Sequence, residues 1–75
     1  MINPDEYLIS LGKNIARIRE EKGLTQYRLA KELFMEQSNY ARIENGETNP
    51  TVKTLIKIAN ALEVSLLELI SVTLD

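Results

Sequence analysis

Cysteine and histidine are both absent from the 75 residues, and each absence removes a set of chemistries. Without thiols there are no disulfides and no thiolate nucleophile. Without imidazole as well, thiolate and imidazole metal sites and both the Ser-His and Cys-His arrangements are gone. The chain also lacks an apolar run near the roughly 20 residues that a membrane-crossing helix needs. Its first residues, M-I-N-P-D-E, are acidic where a secretory leader is basic. These absences set the expectation of a cytoplasmic chain that is not an enzyme and has no cofactor, no metal and no membrane association.

A basic tail or stripe is missing too. Residues 1–24 hold four basic and four acidic groups, residues 25–50 hold three and four, and the net charge is −2. Phosphate neutralisation normally supplies most non-specific affinity for nucleic acid. A nucleic-acid partner would therefore have to be held by helix dipoles, amides, a few placed cations and a doubled binding surface. What is present is 44% hydrophobic and 27% charged side chains, enough for one globular domain over residues 1–75 with a modest core.

Helix boundaries are legible along the chain. Asn3 is placed to cap a first helix, with Pro4 at its first position and Glu6 completing a capping box. Leu8, Leu11, Ile15 and Ile18 then repeat at the spacing of one buried stripe until Gly23, which suits a left-handed cap. Thr25 caps a short second helix whose apolar face is Leu29, Ala30 and Leu33. A third segment runs from Glu36 or Gln37 to about Asn45, where Asn45-Gly46 supplies a stop and a turn.

After E-T-N-P, Thr51 caps a fourth segment carrying Val52, Leu55, Ile58, Ala59 and Leu62. Ser65 with Glu68 opens a short fifth. Residues 70–75 alternate apolar and polar side chains from Ile70 to Asp75, which predicts extended chain available to pair with a second copy or to fray. The expected fold is all-α and compact, with five helices and a helix-turn-helix over about residues 25–45.

The third segment carries the functional signal. At about 100° per residue, Tyr40 and Ile43 share one side, while Ser38, Ala41, Arg42 and Asn45 share the other, with Gln37 on the flank. The outward set is short and rich in hydrogen-bonding groups. Glutamine can pair in bidentate fashion with adenine, arginine with guanine, and an alanine methyl can pack on thymine. An ordinary solvated helix face would have a similar composition. The distinction is position, because this face belongs to the second of two helices joined by a tight turn. Gln26, at the start of the second helix, lies where helix amides can meet a phosphate.

These residues resemble the lambda-repressor-like, or Cro-type, helix-turn-helix regulators of the Xre family over nearly the whole chain. The likeness is carried by L-G-x-x-I-x-x-I-R at 11–19, G-L-T-Q-x-x-L-A at 23–30, S-x-Y-A-R-I-E-N-G at 38–46 and N-P-T-V-K-T-L-I-K-I-A-N-A-L-E-V-S-L-L-E-L-I at 49–70. The resemblance implies a five-helix DNA-binding domain that acts as a homodimer on an inverted-repeat operator in double-stranded DNA. It places Gln26 and Gln37 at the backbone and outer base pairs, Ser38 and Arg42 at the other main base-reading positions, Asn39 beside them, and Asn45 at a phosphate. Arg19 and Glu44 match a structural ion pair between the first and third helices.

Two departures fall at the turn. Phe34 stands where the family has a left-handed glycine, a conformation costing roughly 1–2 kcal/mol for a side-chain-bearing residue, so the turn is expected to differ in geometry. Glu36 replaces a small N-cap hydroxyl, and its charge suits a helix N-terminus but repels a nearby phosphate. Two roles are open to it: offsetting the helix dipole, the first expectation, and accepting a hydrogen bond from cytosine. A repressor-like reader is the first functional expectation. An antitoxin-like or adaptor module that keeps the fold and binds a partner protein is the alternative, suggested by the acidic balance. For a dimer contact, Leu66, Leu67, Ile70, Val72 and Leu74 leave more apolar surface than the fourth helix covers.

Overall fold

Four side-chain oxygens start four of the five helices. In the computed structural model, which describes residues 1–72, the elements are α1 (Pro4–Glu21), α2 (Gln26–Glu32), α3 (Gln37–Glu44), α4 (Val52–Leu62) and α5 (Leu66–Ile70). The Asn3 side chain accepts from the Glu6 amide at 3.1 Å, Thr25 from Arg28 at 3.0 Å, Thr51 from Thr54 at 3.1 Å and Ser65 from Glu68 at 3.0 Å. Each bond satisfies one amide that a helix start would otherwise leave unpaired. Only α3 begins without such a cap, because Glu36 makes no side-chain bond there. No helix of the described residues is long and apolar enough to cross a membrane.

The apolar stripes read from the sequence meet in one core. Leu11, Ile15 and Ile18 of α1, Leu29 and Ala30 of α2, Tyr40 and Ile43 of α3, Ile58, Ala59 and Leu62 of α4, and Leu69 of α5 are all buried. The five-residue α5 is too short to hold itself by propensity. It is tied to α1 instead: Asn14 Nδ2 donates to the carbonyls of Leu69 at 2.8 Å and Glu68 at 3.2 Å, and the Tyr7 hydroxyl donates to Ile70 O at 2.5 Å. Burial at this contact pushes the Tyr7 hydroxyl pKa up.

Those bonds also correct the expectation for the C-terminus. Ile70 is the last residue of α5 rather than the first of an extended segment, and extended backbone begins at Ser71. Its carbonyl is held by Tyr7, a tertiary partner that the alternating pattern does not reveal. The predicted extended segment over residues 70–75, and Leu74 with it, otherwise lies largely outside the described residues.

A second correction concerns the turn between α2 and α3. Phe34 adopts the left-handed conformation at φ 56°, so the geometry is kept although the glycine is not. Two backbone bonds enforce it: Phe34 N–H to Lys31 O at 3.1 Å and Met35 N–H to Ala30 O at 2.9 Å. This paired closure satisfies carbonyls at the end of α2 and holds one left-handed residue in place. The same pattern ends α1 at Gly23 and α3 at Gly46. The closure therefore outweighs the cost of a side chain.

Phe34→Gly tests that balance. The ring is 98% exposed, so removing it loses no packing. Relief of left-handed strain, less the extra unfolded-state freedom of glycine, should stabilise the protein by about 1 kcal/mol. A urea midpoint that stays put or falls would show that Phe34 is not strained.

Candidate nucleic-acid interface

Glu44 sits at the C-terminal end of α3, where a negative charge opposes the helix dipole. It is nonetheless buried, and three side chains explain how. Arg19, in the last turn of α1, donates from Nε to Glu44 Oε2 at 2.7 Å and from Nη2 to Oε1 at 3.2 Å. Its Nη1 donates to Leu24 O at 2.7 Å. Gln26 Nε2 donates to Glu44 Oε1 at 2.8 Å, and the Tyr40 hydroxyl donates to Oε2. No buried side-chain nitrogen or oxygen among the described residues is left unpaired.

The protonation states follow from that arrangement. Burial pushes the Glu44 carboxyl up, but the hydrogen bonds from Arg19, Tyr40 and Gln26, together with the Arg19 charge, outweigh it and hold the pKa below the ordinary value. The hydrogen bond to Glu44 raises Arg19. Burial first, and the Glu44 bond second, push Tyr40 far up, so its hydroxyl stays a donor. The expected Arg19–Glu44 pair is thus present at the centre of a four-residue hub joining α1, α2 and α3. Gln26 and the Tyr40 hydroxyl are further members that sequence reasoning missed; Tyr40 shows only as an apolar position in a helical projection.

A close backbone approach completes the seating of α3. At Gly12 a Cβ would lie 2.3 Å from Glu44 O and 2.6 Å from Ile43 O, so α1 meets the end of α3 backbone to backbone. The signal for this is one small residue inside a helical stripe, which by itself does not say what it faces. At Gly46, with φ 73°, a Cβ would lie 2.7 Å from the Ile9 Cα, which brings the following loop onto α1.

With Tyr40, Ile43 and Glu44 turned inward, the opposite face of α3 is open. Gln37, Ser38, Asn39, Arg42 and Asn45 are exposed and Ala41 is half-buried. Arg42 forms no ion pair among the described residues. Eight residues at a 1.5 Å rise give a rod of about 12 Å, comparable to the width of the major groove. Beside it runs an open groove of about 360 Å³ shared by Asn39 and Arg42 with Thr48, Asn49 and Thr54 of the following loop and α4. These loop and α4 hydroxyl and amide groups were not singled out from the sequence. Their value lies in tertiary proximity to Arg42.

Gln26 occupies the first position of α2, as expected, but one of its amide hydrogens is engaged by Glu44. Toward the C-terminus of the described residues, Leu66, Ile70 and Val72 are half-buried and Leu67 is 71% exposed, while Leu69 is the fully buried anchor of α5.

A profile of the family described as Helix-turn-helix matches residues 15–69, most of the chain. An uncharacterised HTH-type transcriptional regulator, y4dJ of Sinorhizobium fredii, is 44% identical over 63 residues, covering 84% of this chain and 82% of that protein. Several other curated relatives are about twice as long as the stretch they share. Among solved structures, the restriction-modification controller protein C.AhdI from Aeromonas hydrophila superposes with a TM-score of 0.80 at 31% identity, covering 83% of this chain and 94% of that one. The biofilm regulator SinR in complex with DNA gives 0.74 at 34% identity, covering 81% and 98%. The capped helices, the left-handed turn and the matched residues lead to one conclusion: this chain belongs to the helix-turn-helix family of DNA-binding transcriptional regulators, of the Xre or lambda-repressor-like type.

Proposed function

We propose that this chain reads a specific sequence in duplex DNA by seating α3 in the major groove, and that it acts as a homodimer on an inverted-repeat operator to regulate transcription. The observation that carries the reading is the division of α3. Tyr40, Ile43 and Glu44 fix one side of the helix in the core, and Gln37, Ser38, Asn39, Arg42 and Asn45 are left exposed with their hydrogen-bonding groups, with the half-buried Ala41 among them. SinR, similar over most of this chain, has been solved with DNA. Gln37, Ser38 and Arg42 are assigned to base edges, with Asn39 beside them. Gln26, through its remaining amide hydrogen or the α2 amides, and Asn45 are assigned to the phosphate backbone. Leu66, Leu67, Ile70 and Val72 are assigned to the dimer contact, which doubles a surface too poor in cations to hold DNA by charge alone.

Selection from random duplexes should therefore enrich a two-fold symmetric site whose halves lie about one helical turn apart. Failure to enrich any inverted repeat would remove the reading. Within an enriched site, Arg42→Ala should cost about 1–3 kcal/mol and relax discrimination at one base pair per half-site while sparing the others. Titration against a panel of single-base variants distinguishes that pattern from a uniform loss, which would assign Arg42 to phosphate.

A further inference from the structure

Gln26 is the hub residue whose remaining polar atoms the fold does not use. Arg19, Tyr40 and Glu44 are buried, whereas Gln26 is half-buried, so the hub reaches the surface through this one side chain. Each Glu44 oxygen already accepts two bonds. Oε1 takes Gln26 Nε2 at 2.8 Å and Arg19 Nη2 at 3.2 Å, and Oε2 takes Arg19 Nε and the Tyr40 hydroxyl. A carboxylate held ionised by those donors can only accept, so the Gln26 amide must turn its nitrogen inward and not its oxygen. The second Nε2 hydrogen and the carbonyl oxygen of Gln26 have no partner among the described residues.

We propose that Glu44 is a positioning residue for phosphate recognition, holding the Gln26 amide by one Nε2 hydrogen so that the other is a pre-set donor to one DNA phosphate in each half-site. This rests on the reading of α3 as the groove-seated helix. Of the two phosphate donors named there, it selects the Gln26 side chain over the α2 amides. A glutamine free on the surface turns its amide oxygen toward an anion as readily as its nitrogen, and the oxygen repels. Immobilising a side chain of this length before binding is worth roughly 2- to 12-fold in affinity.

The charge of Glu44 does not spoil the contact. Arg19 neutralises it within the hub, so an anion at the outer hydrogen meets a neutral ion pair rather than a bare carboxylate. The carboxylate that seats α3 also aims a donor on α2, which fixes the spacing between the reading helix and its phosphate contact.

The test uses the whole chain and a duplex enriched by selection, prepared as a set in which each member carries one neutral methylphosphonate in place of a phosphate. With wild type, the Gln26 position in each half-site should lose about tenfold or more in affinity, the scale of a hydrogen bond to a charged group. Gln26→Ala should abolish the loss at that position and at no other. Arg19→Met combined with Glu44→Leu removes the anchor at unchanged net charge and is expected to keep much of the stability. In this double variant the loss at the Gln26 position should shrink by roughly 2- to 12-fold, while losses elsewhere stay as in wild type.

A merely structural role would lower affinity for every duplex alike and leave the profile unchanged, and that result would overturn the proposal. So would a Gln26→Ala profile equal to wild type, which would assign the phosphate to the α2 amides. Without DNA, the NMR signal of the Gln26 side-chain amide should show one hydrogen shifted downfield in wild type. Two hydrogens at ordinary surface shifts would also overturn the proposal, whether or not the double variant folds. These results leave the groove reading intact, whereas a chain that selects no duplex would remove that reading and this assignment together.

Discussion

Glu44→Ala is expected to remove about 3–5 kcal/mol of stability, the cost of breaking a buried ion pair from one side. The substitution strands the Arg19 guanidinium in the core and orphans the Tyr40 hydroxyl and the Gln26 amide, all of which donate to that carboxylate. A domain of this length has roughly 4–11 kcal/mol in total, so the substitution should remove a large share of its stability. Arg19→Met combined with Glu44→Leu should recover much of the loss, because the charge left without its partner is then gone. Urea titration followed by circular dichroism gives both numbers. A Glu44→Ala midpoint equal to wild type would mean the hub contributes nothing.

The same group makes stability depend on acid. The folded pKa of Glu44 lies below its unfolded value, near 4.5, so its contribution is complete above that value and disappears as the pH falls through the folded pKa. Wild type should lose stability on acidification over that window. A Glu44→Gln variant, which keeps an acceptor but cannot titrate, should start less stable and lack this component of the acid loss. Identical pH profiles for the two proteins would contradict the assignment.

Gly12→Ala should be the most damaging single-methyl change in the chain. The added carbon would lie 2.3 Å from a backbone carbonyl oxygen, which cannot rotate aside as a side chain can. Either α1 or the end of α3 must shift, at a cost near the upper end for overpacking, about 3 kcal/mol. For a domain of this size that corresponds to a fall in melting temperature of roughly 12–24 °C. Because the shift falls on α3 itself, any folded fraction should also bind a selected duplex less tightly. A Gly12→Ala protein that melts with wild type would show that the two helices are not in backbone contact.

How much of this could be read from the sequence depends on how local its cause is. The caps at Asn3, Thr25, Thr51 and Ser65 were legible because an N-cap bond spans three residues and needs nothing from the rest of the fold. The inward Tyr40 and Ile43 were legible because helical periodicity alone separates them from Ser38 and Arg42. What escaped was set by backbone closure or by distant partners. The closure of α2 keeps Phe34 left-handed against its own preference, and Tyr7 and Asn14 keep the end of α5 helical where the alternating residues suggested extended chain. Gln26 reads from the sequence as a phosphate-facing residue, and its bond to Glu44 shows only when the fold brings the two together. Thr48, Asn49 and Thr54 gain a place beside Arg42 for the same reason.

The central claim is that the outer face of α3 touches base edges, and a crystal structure of the chain on a selected duplex tests it most directly. The account predicts α3 within the major groove, with Gln37, Ser38 or Arg42 side-chain atoms at about 2.7–3.2 Å from base donors and acceptors. A complex in which α3 lies outside the groove, with those three side chains meeting only solvent or protein, would contradict it.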